Sequence, residues 1–185
     1  SQAMEGALRS RTEQMAGRVP DEPDDSPAYK AREQAIRAAS NTIGEIGGAS
    51  YVRSQFPGAE LVYGGPGGAG SKVGDFDQVW KQTLADGRVR FIVVEAKGGS
   101  ASLGSAMVGD TRYSQGTPEY FDRTVTNMAE RPGVYGEEGA AIARQLRRVR
   151  DADQTGARDA EIIYIKVQTP ILQAAEPGRL QTAPM

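Results

Sequence analysis

The segment VRFIVVEAKGGS, residues 89–100, constrains the fold of this chain more than any other. Val89 and the unbroken apolar run at 91–94 are too short for a lone helix and too apolar for an exposed strand. They predict a buried β-strand. That strand runs straight into Glu95, Ala96 and Lys97, which places a carboxylate and an ammonium at its end. Alternate residues of a strand point the same way, so Glu95 and Lys97 share a face with Val93. The charges rim a hydrophobic surface.

A partner for this strand lies just upstream in DFDQVWKQT, residues 75–83, followed by the turn signal Ala85-Asp86-Gly87. A two-residue loop, Asp86-Gly87, would set Asp77 opposite Ala96. A three-residue loop sets Asp77 opposite Glu95 and Asp75 opposite Lys97. The second choice puts Gly87 at the position that needs positive φ, and it is the register expected here. Directly opposed side chains have Cβ atoms roughly 4.5–5.5 Å apart, and like charges in such a pair repel. Two facing carboxylates call for a compensator, and a hard divalent cation is the natural one. An exposed strand-end pair, with Glu95 and Lys97 balancing Asp75 or Asp77, fits the same spacing. Trp80 and Phe76 are assigned to the opposite face of the hairpin, as core.

Two absences narrow the chemistry. The chain has no cysteine and no histidine, which excludes thiol nucleophiles, disulfides, zinc clusters, Ser-His-Asp triads and any imidazole proton shuttle. Catalysis would have to use carboxylates, Lys, Arg, Tyr, Ser, Thr or a metal held by oxygen. The net charge of −2 is unevenly spread. Residues 1–27 carry three arginines against six acids, which leaves nineteen basic and eighteen acidic residues in the remainder. Arg144, Arg147, Arg148 and Arg150 crowd one segment, as either a basic binding face or a solvated helix face. No apolar stretch approaches the roughly 18 residues of a membrane span, so none is expected.

At 185 residues the chain is long enough for one domain with additional pieces. The proline- and acid-rich stretch VPDEPDDSP, residues 19–27, closes a flexible N-terminal extension and linker spanning 1–27. A helix is expected at about 28–46, a break at Gly47-Gly48, and a further turn or two to Phe56. A short strand in AELVYGG and a glycine-rich loop follow. Residues 65–70 match G-x-G-x-x-G, but a strand-like stretch follows where a nucleotide site needs a helix, so nucleotide binding is rejected. After strands 75–84 and 89–97, residues 98–117 read as loop, 117–130 and 137–152 as helices, and AEIIYIKVQT as a final strand. This order predicts an α/β or α+β architecture, a mixed sheet flanked by helices.

Three blocks, GDFDQVW, FIVVEAKGGSASLG and QGTPEYFD, together resemble the signature of restriction-endonuclease-like toxin domains. These belong to the PD-(D/E)XK nuclease superfamily and end bacterial polymorphic toxins. The resemblance covers about residues 42–125, within a nuclease-like domain at 28–185. It implies a restriction-endonuclease-like core that cleaves nucleic acid with Mg²⁺ or Mn²⁺. The expected substrate is DNA, with tRNA as the alternative. Also implied are delivery from a producer cell into the target-cell cytoplasm, as in contact-dependent inhibition, and a cognate immunity protein. A binding module of the same fold without turnover is a further alternative. By position, Asp77 and Glu95 resemble the metal-binding acids and Lys97 the catalytic lysine. The Ala96 carbonyl and Glu45, on the first long helix, resemble the remainder of the metal shell. Gln115 and Tyr120 fall in the block after the lysine, where a supporting role is common. One departure is that no proline precedes Asp75 or Asp77.

Overall fold

A computed structural model describes residues 1–66, 74–99, 104–154 and 159–171. Among these, four helices surround a mixed four-stranded sheet, with a separate two-stranded sheet. Helices α1 (Gln2–Ala16) and α2 (Pro27–Gln55) precede strands β1 (Glu60–Gly64), β2 (Gln78–Thr83) and β3 (Val89–Gly98). Strands β4 (Ser105–Val108) and β5 (Thr111–Ser114) form the small sheet. Helices α3 (Pro118–Glu130) and α4 (Pro132–Gln154) lead to β6 (Ala160–Thr169). The main sheet runs β1-β2-β3-β6, antiparallel except for the parallel pair β3 and β6.

The apolar run is the interior strand, as its composition predicts. β3 has a neighbour on each edge and helices on each face, and its residues from Phe91 to Ala96 are all buried. Its even-numbered side chains, Ile92, Val94 and Ala96, pack with Trp80, Ala49 and Val52 beneath α2. Its odd-numbered ones, Phe91 and Val93, pack with Val79, Phe121, Val125 and Leu146 of β2, α3 and α4. Phe76 joins this second cluster and not the face of Trp80. It precedes the first residue of β2, so strand alternation does not govern its direction.

The hairpin register is the three-residue one. Gln78 pairs with Val94, and Thr83 with Val89. Leu84 and Arg88 close the turn through an N–H···O bond of 2.8 Å, and Gly87 has φ 85°. A left-handed glycine in that position lets the loop close without a Cβ clash.

Two further sequence expectations are overturned. No break occurs at Gly47-Gly48, because α2 is continuous to Gln55. The glycines are there for proximity. A Cβ on Gly44 would lie 2.7 Å from the Gly98 nitrogen, and one on Gly47 would lie 1.8 Å from Thr169 Oγ1. The tertiary contact outweighs the roughly 1 kcal/mol helix penalty of each glycine. Residues 98–117 are not all loop, since β4 and β5 pair across a two-residue turn at Gly109-Asp110. Short alternation among Gly and Ser left that hairpin without a periodic signal.

The remaining boundaries follow local chemistry. Ser26 and Thr117 cap α2 and α3 by accepting from the amides of Tyr29 and Tyr120, each with a proline opening the helix. α4 begins with one turn before Gly136, whose φ of 79° kinks it into the helix expected from 137. Within 1–27, α1 lies along α2, where Arg11 Nε donates to Ser40 Oγ at 3.1 Å, and the segment after α1 is tied to α2 by Arg18–Glu33 at 2.6 Å and the Arg32–Glu22 pair. Residues 67–73, most of the expected glycine-rich loop and of the G-x-G-x-x-G match, lie outside the described residues.

The close approach of α2 to β3 generates a prediction. Gly98→Ala would place its methyl 2.0 Å from the Ser40 carbonyl oxygen, a backbone atom that cannot swing away. This variant and Gly44→Ala should each lose about 1–3 kcal/mol of stability. Gly6→Ala, with nothing within 4 Å, should not lower it. Urea unfolding of the three variants checks the contrast.

Candidate active site

Three backbone elements meet at one end of the sheet: the chain entering β2, the end of β3, and the middle of α2. Gln78 joins them. Its buried side chain donates from Nε2 to the Glu45 carbonyl at 2.6 Å and accepts from Trp80 Nε1 at 2.9 Å. A glutamine in the first position of β2 therefore locks α2 to the hairpin at the level of Glu45.

Asp77 lies just before β2, in line with Glu95 by continuation of the observed register. Its Oδ2 accepts from the Ala96 amide at 2.8 Å and from Lys97 Nζ at 3.2 Å. Both side chains of this ion pair are mostly shielded from solvent. Ala96 itself is buried, with its methyl against Gly48 of α2. Asp75 is also buried and accepts from the Tyr63 hydroxyl at 2.8 Å. That bond ties Asp75 to β1, while its charge still reaches Glu45 and Glu95.

Glu95 is fully buried. Its Oε2 accepts from Gln115 Nε2 at 2.5 Å, and its Oε1 from the Tyr164 hydroxyl at 2.8 Å. Gln115 is held in turn by the Gly104 amide, which donates to its Oε1 at 2.7 Å. Tyr120, buried at the start of α3, completes this side, near Gln115 and within the field of Glu95.

The electrostatics follow from this crowding. Burial, then the nearby charge of Asp77, pushes the Glu95 carboxyl up to about 8. Burial, then Asp77 and Asp75, pushes Glu45 up to about 7. Lys97 opposes the rise at both. The same burial and the charge of Glu95 push the Tyr164 hydroxyl well above the ordinary tyrosine range, so it stays a donor.

The structure places Glu45, Asp77, Glu95, Ala96, Lys97, Gln115 and Tyr120 in one neighbourhood, with Asp75 beside it, while Arg147 and Arg150 pair with Glu130 and Asp122 of α3. The sequence reading missed Tyr164, and nothing in AEIIYIKVQT separates it from an ordinary core aromatic. The one available signal was general, since a buried tyrosine hydroxyl requires a partner.

Among the described residues, no three carboxylates converge tightly enough to cage a cation by themselves. The donor set nevertheless fits Mg²⁺ or Mn²⁺ chemically. Asp77 raises both Glu45 and Glu95 where burial weakens screening, and all three are oxygen ligands. Mg²⁺ is usually held by one or two carboxylates plus substrate phosphate rather than by an all-protein cage.

The raised carboxyls imply a pH dependence. Folded Glu95 and Glu45 keep protons that the unfolded chain, with an ordinary value of 4.5, has already released. Stability should accordingly fall as pH rises from about 4.5 towards about 8. Glu95→Gln should flatten the upper part of that fall. Chemical unfolding across this range in a chelating buffer reads the difference.

Comparisons with protein-family models, curated proteins and solved structures found no match to this chain.

Proposed function

We propose that this chain is a divalent-metal-dependent nuclease with a restriction-endonuclease-like core, cleaving DNA as a toxin domain delivered into competing bacteria. One observation carries the reading: Asp77, Glu95 and Lys97 gather at the end of adjacent strands, with Lys97 3.2 Å from Asp77. An acid pair with a lysine, at the rim of a mixed sheet covered by helices on both faces, suits phosphodiester hydrolysis. The resemblance of the three sequence blocks supports the same conclusion.

Asp77 and Glu95, with the Ala96 carbonyl and Glu45, would hold Mg²⁺ or Mn²⁺. Such an ion supplies Lewis acidity towards phosphate and lowers the pKa of water. The chain's own groups do the rest. Lys97, steadied by Asp77, offers a positive charge where charge grows on the phosphate, and it orients the attacking water. Gln115 fixes one oxygen of Glu95. Arg and Lys elsewhere contact the phosphate backbone and give little sequence preference. A cognate immunity protein that covers this rim would protect the producer.

Plasmid DNA and total tRNA, each incubated with the protein in Mg²⁺, in Mn²⁺ and in EDTA, test the reading. Metal-dependent cleavage of DNA is expected. Cleavage of tRNA alone would reassign the substrate, and cleavage of neither would favour a binding module. Glu95→Gln and Lys97→Ala should each lower turnover by at least about 100-fold, the loss typical of a removed transition-state contact, without loss of fold. Asp77→Asn should cost far more activity than Asp75→Asn, because Asp75 is engaged by Tyr63. Initial rates alongside thermal unfolding check both rankings.

A further inference from the structure

We propose that Tyr164 is a positioning residue of this site, whose hydroxyl fixes the orientation of the Glu95 carboxyl that is to accept a divalent cation. The inference rests on the metal-dependent reading above. It is carried by geometry.

Tyr164 sits on β6, which runs parallel to β3 through ten register pairs from Val89↔Ala160 to Gly98↔Thr169. It is the partner of Val93, on the face that Glu95 shares two residues further along. Its ring is fixed between Phe76 and Phe121, with centroids 5.9 and 5.4 Å away. A tyrosine hydroxyl has a single proton to donate. The Gly116 amide donates to that oxygen at 3.2 Å, so the hydroxyl proton is left for Glu95 Oε1 at 2.8 Å.

Residues 115 and 116 thus govern both oxygens of Glu95, Gln115 directly and Gly116 through Tyr164. An ionised carboxylate has about four lone-pair sites, roughly two per oxygen. One donor on each oxygen leaves acceptor capacity on both, in a plane fixed by the two donors. Groups that orient a ligand in this way typically change metal affinity about 10–100-fold when removed.

Tyr164→Phe deletes one oxygen and leaves the ring packing in place. Mn²⁺ affinity of the substrate-free protein is measured by titration calorimetry at fixed pH, for wild type, Tyr164→Phe and Ile92→Val. The last is a control that loosens the opposite core beneath α2. Circular dichroism and thermal unfolding confirm that all three are folded at the titration temperature. A roughly 10–100-fold weaker affinity in Tyr164→Phe, with Ile92→Val unchanged, is the expected result. Equal affinity in wild type and Tyr164→Phe would overturn the role of Tyr164 and leave the metal reading standing. Equal weakening in both variants would also overturn it, because the loss would then be general loosening. Failure of the wild type to bind Mn²⁺ would overturn the metal reading and this inference together.

Discussion

Strand β3 is hydrogen-bonded along both edges and covered on both faces, so its register decides which side chains meet at the end of the sheet. Side chains alternate strictly along a strand, and a slip of one residue exchanges the faces. Such a slip would turn Glu95 and Lys97 towards α2 and Ala96 towards α3. Two independent constraints oppose it. The Gly87 turn sets the pairing with β2, and the long parallel ladder sets the pairing with β6. The carboxylate, the lysine and the tyrosine of the candidate site inherit their positions from those two pairings.

The third side of the site comes from α2. Gly44, Gly47 and Gly48 lower the helix onto the ends of β3 and β6; a Cβ on Gly44 or Gly47 would collide with Gly98 or Thr169, and one on Gly48 would crowd Ala96. Gln78 then fastens the helix backbone at Glu45. The result crowds the carboxyls of Glu45 and Glu95 around Asp77 in a shielded place, where both hold their protons more tightly and Lys97 partly offsets the rise. Burying ionised groups costs several kcal/mol each unless partners compensate. At Glu95 that cost is lowered by proton retention and by two donors, one on each oxygen.

Much of this arrangement was legible in local sequence. The apolar run predicted the interior strand, Ala85-Asp86-Gly87 predicted the turn and its register, and Pro118 predicted the start of α3, because each depends on steric rules acting over a few residues. The grouping of Asp77, Glu95 and Lys97 followed from that register. Gly47-Gly48 misled for the same reason. Local propensity reads paired glycines as a break, whereas packing against β6 uses them as a contact surface within a continuous helix. Residues 105–114 carried too little hydrophobic alternation to reveal a hairpin.

Sequence by itself determined which residues could do chemistry, since a chain without His or Cys leaves only oxygen ligands, lysine and the hydroxyl and arginine side chains. It also determined the local pairing of β2 with β3, because a short loop closes only in the few ways its glycine permits. Tertiary structure alone decided that Tyr164, 69 residues from Glu95, donates to it. It likewise decided that Gln78 holds Glu45, 33 residues away. Those contacts depend on how helices cross the sheet and how parallel strands come into register. No local pattern encodes that outcome, because the energy that selects it comes from burying both faces of β3 at once.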